Sequence, residues 1–380
     1  MSAGSLAGLA GCSGDSARTL PSRPTGAWRQ HAHDARNTGV ADVVVPPRGT
    51  RAWDAGTAQL AAPLVDDGTV FAVSEAVSAM DAQTGDEQWR VELEGTADYT
   101  PGLVDDRLLV ATESRVRALS RADGTERWSV SLPRPIDGAL TVASDLPLLV
   151  PIADTGLLAL DPETGERLWR APMLGVNPAA VADGTVYVTG YKQDGNTAAV
   201  RGLAAADGTR QWEIELEAPD SPPVVGDGAL LVAAGETLSV HDPTDGTRKR
   251  TLGPFDGRLQ VPPAVTDGTA FVATDSSLQA VSIADGSQVW RADLQVMTDT
   301  GVSAGRETVV APVLDLPDAG GPGLTALARS DGTTRWEHSI DGFDAVVSTP
   351  PILADGAVFY VSTESAGVTA LGDLPARTDG

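Results

Sequence analysis

Three observations in this 380-residue sequence predict an all-β fold, an eight-bladed β-propeller of four-stranded antiparallel blades. First, a glycine followed four residues later by a tryptophan recurs at Gly49/Trp53, Gly85/Trp89, Gly124/Trp128, Gly165/Trp169, Gly208/Trp212, Gly286/Trp290 and Gly332/Trp336, which takes in seven of the eight tryptophans. Second, the mean interval is about 40 residues, the period of one four-stranded blade. A further copy, HDPTDGTRKR, keeps Gly246 but places Arg250 where Trp is due. Third, tight-turn dipeptides cut every period into two hairpins, which excludes helical repeats.

The unit is clearest between Pro63 and Leu93. Asp67-Gly68 marks a hairpin turn between strands A and B, because a type I′ turn needs positive φ at both central residues, which Gly accepts and Asp tolerates. The same turn recurs at Asp183-Gly184, Asp227-Gly228, Asp267-Gly268 and Asp355-Gly356. A second turn, Thr-Gly or Asp-Gly, joins strands C and D and precedes each Trp position from Trp89 onward, including Arg250. Complete units end at Trp89, Trp128, Trp169, Trp212, Arg250, Trp290 and Trp336. What remains is a lone strand D around Trp53 and strands A to C near the C-terminus, which together make the eighth blade. That pairing closes the ring and removes the exposed sheet edges of a linear array. The domain reading is a tether over 1–27, a leader over 28–48, the propeller over 49–372 and a disordered tail over 373–380.

Composition bounds the function. The net charge of −25 makes nucleic acid an improbable partner, since binding it needs a basic footprint. No apolar run reaches the 18 residues of a spanning helix. Lysine occurs only at Lys192 and Lys249, so nearly all positive charge is arginine. An acidic, lysine-poor surface suits molar salt, where the Debye length falls to about 3 Å, and points to a salt-loving archaeal source and a monomer. Most carboxylates then read as solvated surface.

Cys12 is the single cysteine, so no intrachain disulfide and no thiolate cluster can form. Leu9-Ala10-Gly11-Cys12 resembles a lipobox, with Cys12 as the lipidated residue. Residues 1 to 8 carry no Lys or Arg and form too short an apolar run for a secretory signal, and a true start upstream of Met1 is expected. The expectation is a propeller lipid-anchored on the extracellular face of the cell membrane.

The strings AMDAQTGDEQW and ALDPETGERLW carry a resemblance. They match the tryptophan-docking motif A-x-D-x-x-T-G-x-x-x-W of the PQQ-like β-propeller repeat family, at Ala79, Asp81, Thr84, Gly85 and Trp89 and again at Ala159, Asp161, Thr164, Gly165 and Trp169. Other copies keep Ala118, Ala280 and Ala326, while Gly202 and Val240 replace the alanine. The resemblance implies that each indole docks on the neighbouring blade, with the alanine and glycine leaving room for it. It also implies two functional ranges, quinoprotein dehydrogenases and non-catalytic scaffolds such as outer-membrane assembly lipoproteins of the BamB type. Trp28 to Gly39, WRQHAHDARNTG, resembles the leader of archaeal members, and the sequence assigns it no chemistry.

The dehydrogenase alternative, a propeller using PQQ, meets two obstacles. Such enzymes carry a vicinal Cys-Cys disulfide and long insertions, whereas this chain has one cysteine and a period near 40. No catalytic, cofactor or metal residues are assigned. His31 and His33 read as solvated leader residues, His241 as the end of a strand C, and His338 as an outer-strand residue. A P-loop, a GxSxG elbow, HExxH and an EF-hand loop are all missing. The D-to-A connections place Asp98, Tyr99, Asp137, Asn177, Asp220, Gln260, Asp299 and Asp344 before the inner strands, a weaker candidate for an acidic funnel mouth that attracts a cation or a basic peptide.

The expected function is therefore a non-catalytic, cell-surface scaffold that binds a protein or envelope ligand through its loop faces. Arg250 should snorkel outward or pair with a carboxylate, leaving the loosest blade boundary and a basic island of Arg248, Lys249 and Arg250. Arg250→Trp is expected to add about 1 to 2 kcal/mol if the slot accepts an indole.

Overall fold

The computed structural model describes residues 18–56, 61–217, 221–298, 300–340, 345–363 and 367–375. The described strands form eight antiparallel sheets, one per blade, and no helix. Blades 1 to 7 begin at Leu64, Gly102, Ile136, Ala180, Val224, Ala264 and Ser303, each running from inner strand A to outer strand D. In blade 8 the strand Thr50–Ala55 pairs with Val368–Gly372, so the first long strand completes the last blade. Blade 3 departs from regularity. Its three strands Leu148–Ile152, Gly156–Leu160 and Arg167–Ala171 are joined on the inside only by isolated bridges at Ile136 and Thr141. Pro133, Pro135 and Gly138 interrupt the run that would otherwise be strand A.

Four of the A-to-B turns have the backbone their sequence demands: Asp67, Asp183, Asp227 and Asp267 lie at φ of 48 to 51°, each followed by a glycine at 71 to 73°. Asp355 differs, because the segment ahead of blade 8 holds it. Its N–H donates to Thr25 O, and its carboxylate accepts from the Val44 N–H at 2.8 Å.

All eight C-to-D pairs shift register just before the Trp position, which aims that side chain at the next blade. Trp53 lies against Gly85, Trp89 against Gly124, Trp128 against Gly165, Trp169 against Gly208, Trp212 against Gly246, Trp290 against Gly332 and Trp336 against Gly49. A Cβ at these seven glycines would stand 2.4 to 2.9 Å from its nearest neighbour, so the indoles sit where no side chain fits. Five indole N–H groups donate to the carbonyl three residues before the docking glycine, as from Trp169 to Ala205 at 2.8 Å and from Trp290 to Arg329 at 2.7 Å. Burying one indole removes roughly 150 to 250 Å² from water, worth on the order of 4 to 6 kcal/mol before entropy is subtracted.

Both terminal segments are more ordered than their composition suggests. Residues 18–27, read as the end of a flexible tether, lie on the face of the A-to-B turns. The Leu20 N–H donates to Gln83 O, Leu20 is fully buried, and Arg23 Nη2 donates to Asp67 O. Residues 373–375, read as disordered tail, are held by Arg48–Asp373 at 2.6 Å and by burial of Leu374. Apolar Leu20 and Leu374 each find a seat that polar neighbours would not.

Candidate functional site

Inner strands of a propeller leave unpaired N–H and C=O groups facing the central channel, and those groups need partners. Here residues 25–39 supply them, blade by blade, in chain order. Ala27 and Trp28 pair with Asp66 and Val65 of blade 1. Leu103 of blade 2 donates to Arg29 O at 2.7 Å. In blade 3 the Gln30 amide bonds both backbone groups of Val142, at 2.7 and 2.9 Å, and so substitutes for a strand where strand A is broken. Val181, Val225, Val265 and Ala304 of blades 4 to 7 donate to Ala35, Arg36, Thr38 and Gly39, and the Asp355 N–H of blade 8 donates to Thr25. The leader thus touches all eight blades from inside. Asn37, at φ 58°, donates from Nδ2 to both Ala179 O and Pro223 O, at 3.2 and 3.0 Å, which ties blades 4 and 5 together at the hub.

Trp28 is fully buried in this hub, with the His33 ring edge-on to it at 5.0 Å. Above the leader, on the side of the D-to-A connections, a cavity of about 170 Å³ is floored by Trp28, His31 and Asn37 and walled by Pro222, Pro262 and Pro350. Prolines suit this wall because they bring no N–H to satisfy. His31 is not a solvated residue. Its Nε2 is buried with no partner among the described residues, and burial pushes its pKa down to about 4, so the ring is neutral at pH 7. The His33 Nδ1 lies 3.7 Å from Asp34, whose carboxylate is held below the usual range by His33 and by the Thr38 N–H and hydroxyl, against the opposing effect of burial.

Of the funnel residues, the structure brings three together. Asp98 and Asp137 are exposed on the D-to-A face around half-buried Tyr99, whose phenol is raised by burial first and then by these two carboxylates. Asn177 donates to the Thr189 hydroxyl at 3.1 Å, and Gln260 lines the hub cavity. Asp220, Asp299 and Asp344 lie outside the described residues, as does Cys12. Sequence reasoning missed Trp28, Gln30 and Asn37 as hub residues. The available signal was the unassigned segment itself, since eight inner edges needed partners and only this stretch was free to supply them.

The boundary after blade 5 has no indole. Arg250 is exposed and, among the described residues, has no ion-pair partner, while Leu252 takes the contact, standing 3.3 Å from where a Cβ on Gly286 would be. Opposite each Trp stands Ala or Gly on strand C, as in Ala159 opposite Trp169 and Gly202 opposite Trp212, but Val240 stands opposite Arg250. Arg248, Lys249 and Arg250 are all exposed, and among the described residues only Lys249 is ion-paired, with Asp242 at 3.1 Å.

These features define an eight-bladed, tryptophan-docked β-propeller whose hub is occupied by its own leader. The chain belongs to the family described as outer membrane protein assembly factor BamB, whose model matches residues 36–115, 73–201, 112–260 and 196–377. A BamB from Yersinia pestis is 26% identical over 56% of this chain, and the chain spans only 58% of that relative's length. Among solved structures, BamB from Moraxella catarrhalis superposes with a TM-score of 0.63 at 16% identity, covering 84% of this chain and 96% of that one. A quinohemoprotein alcohol dehydrogenase from Pseudomonas putida HK5 gives a TM-score of 0.71 at 13% identity, covering 93% and 81%. At such identities the likeness to these structures is one of fold. None of these relatives is archaeal, and they lend no support to the source read from composition.

Pyrroloquinoline quinone, the group that the dehydrogenase branch implies, does not fit this hub. The leader lies across the channel, and the cavity over it on the side of the D-to-A connections holds about 170 Å³, below the roughly 300 to 1,000 Å³ of ordinary small-molecule sites. Among the described residues no three His, Cys, Asp or Glu gather as a metal site.

Proposed function

We propose that this chain is a non-catalytic propeller scaffold that binds a protein or envelope ligand on its loop faces or rim. The observation that carries the reading is the leader, which spends the central channel on structure and leaves the outer surfaces for binding. Membership of a family named for outer membrane protein assembly supports a protein ligand. Lipidation of Cys12 on the extracellular side of the membrane belongs to the same reading, as does an acidic surface adapted to high salt.

Photo-crosslinkers placed one at a time at Asp98, Asp137 and Thr251, in cells carrying the tagged chain, test it. A discrete protein adduct from at least one position, identified by mass spectrometry, is the expected result. No adduct from any position, together with dye-linked alcohol oxidation when PQQ and calcium are added to the purified chain, overturns the reading. An unmodified peptide containing Cys12 recovered from the soluble fraction overturns the anchor alone.

A further inference from the structure

A groove of about 570 Å³ opens on the rim between blades 4 and 5. Its origin lies in one cross-strand pair. At the equivalent rung the other seven blades carry at least one charged side chain: Ser78–Arg90, Arg117–Ser129, Leu158–Arg170, Arg201–Glu213, Gln279–Arg291, Thr325–Glu337 and Thr369–Asp54. Blade 5 has Ser239 opposite Thr251, two short hydroxyl side chains that leave the space open. Two rungs further along, toward the C-to-D turn, the other blades place an apolar residue, such as Leu203 or Leu327, where blade 5 has His241. The His241 Nδ1–H donates to Gly246 O at 2.9 Å, and its Nε2 meets the Ser239 hydroxyl at 2.8 Å, so the ring lines the floor without offering a free ligand atom.

The walls fix the ligand chemistry. Ile214 and Leu216 of blade 4 and Ala234 of blade 5 make one apolar side. Arg248, exposed and without an ion-pair partner among the described residues, stands at the other, with Arg250 on the adjacent rung. Of the two carboxylates on the blade 4 wall, Glu215 is already neutralised by Lys192 at 2.7 Å, which leaves Glu217 as the opposing charge. On a chain of net charge −25, this rim holds two arginines one rung apart, neither ion-paired among the described residues, beside an apolar wall. We propose that the groove receives an acidic, extended segment of a partner protein, one carboxylate pairing with Arg248 and a neighbouring apolar side chain resting on Ile214 and Leu216. This rests on the reading of the chain as a protein-binding scaffold and adds where the partner sits and what its segment contains.

Fluorescence anisotropy with the purified chain and a labelled synthetic peptide of alternating Glu and Leu tests the proposal, with a Lys and Leu peptide as control. The Glu peptide should bind with an affinity that falls as salt rises, and the Lys peptide should not bind. Arg248→Glu should weaken binding at least about tenfold, whereas Arg134→Glu, on a distant loop, should leave it unchanged. Ser239→Arg with Thr251→Glu, which rebuilds the Arg201–Glu213 arrangement of blade 4, should close the groove and abolish binding. If that double variant fails to fold, Arg248→Glu carries the test alone. Failure of the Glu peptide to bind, or equal binding by wild type and Arg248→Glu, overturns the proposal. Should the peptide fail while crosslinkers elsewhere on the rim or funnel still capture a protein, the groove is wrong and the scaffold reading stands.

Discussion

Seven blade boundaries carry an indole seated on a glycine, and the boundary between blades 5 and 6 carries Leu252 instead. The contrast separates two roles that the other boundaries combine in one residue. Gly286 has φ of 78°, like the six docking glycines that lie in C-to-D turns, because that turn requires a left-handed residue, yet no indole lies on it. Gly49, ahead of the lone strand D, is the one docking glycine outside such a turn. Within the C-to-D turns the glycine is therefore a turn residue first and a docking seat second. The remaining members of the set change together: where Trp becomes Arg250, the small strand C partner becomes Val240, and the blade surface is filled from within.

The largest expected break of this contrast is Trp169→Ala, which should cost about 3 to 5 kcal/mol in denaturant unfolding, against less than about 0.5 kcal/mol for Arg250→Ala. Next, Gly208→Ala must both strain a φ of 71° and displace Trp169, whose ring would lie 2.6 Å from the new Cβ, so about 2 to 4 kcal/mol should be lost. Gly286→Ala carries mainly the strain and should lose about 1 kcal/mol; equal losses at the two sites would show that docking contributes nothing to the glycine requirement.

Arg250→Trp sharpens the comparison further. The sequence favours a gain, but Val240 and Leu252 already occupy the space, so the single change should be neutral or harmful. Combined with Val240→Ala it should recover about 1 to 2 kcal/mol relative to the sum of the single changes, as a double-mutant cycle would read. Additivity would mean that the two positions do not share one slot.

The smallest effect concerns His241, which stands where the other blades are apolar. Burial, and then the charge of Arg248, lower its pKa below 6.5 despite the opposing bond to Gly246 O. A histidine depressed in the folded state favours the neutral form there, so its contribution is complete above about pH 6.5 and is lost as the pH falls toward the folded value. His241→Leu should flatten the decline in stability between pH 7 and 5 by less than about 1 kcal/mol, with the depressed His31 keeping the remainder of the acid sensitivity. An unchanged pH profile would place His241 outside this linkage.

The blade number, the ring closure and the turn positions were legible because each repeats: Asp-Gly and Gly-to-Trp spacing reports backbone needs met seven or eight times over. The leader was illegible for the opposite reason. Residues 25–39 meet eight different inner edges once each, through carbonyls that every residue owns, so side-chain identity carries almost no signal beyond Gln30 and Asn37. The groove was half legible. The RKR run marked a basic edge, but the space beside it depends on Ser239 and Thr251 being short together, which only the strand register reveals.

The route of residues 18–28 also sets which way the disc faces. The chain crosses the side of the A-to-B and C-to-D turns, touching Gln83 and Asp67, before it enters the hub, and the described C-terminal residues end on that same side, with Arg18 Nη1 donating to Pro375 O. Both described ends, Arg18 and Pro375, therefore lie together on that side. The face that carries Asp98, Tyr99 and Asp137 is thus the one opposite both described ends of the chain, and the rim groove at Arg248 opens edgewise between the two faces.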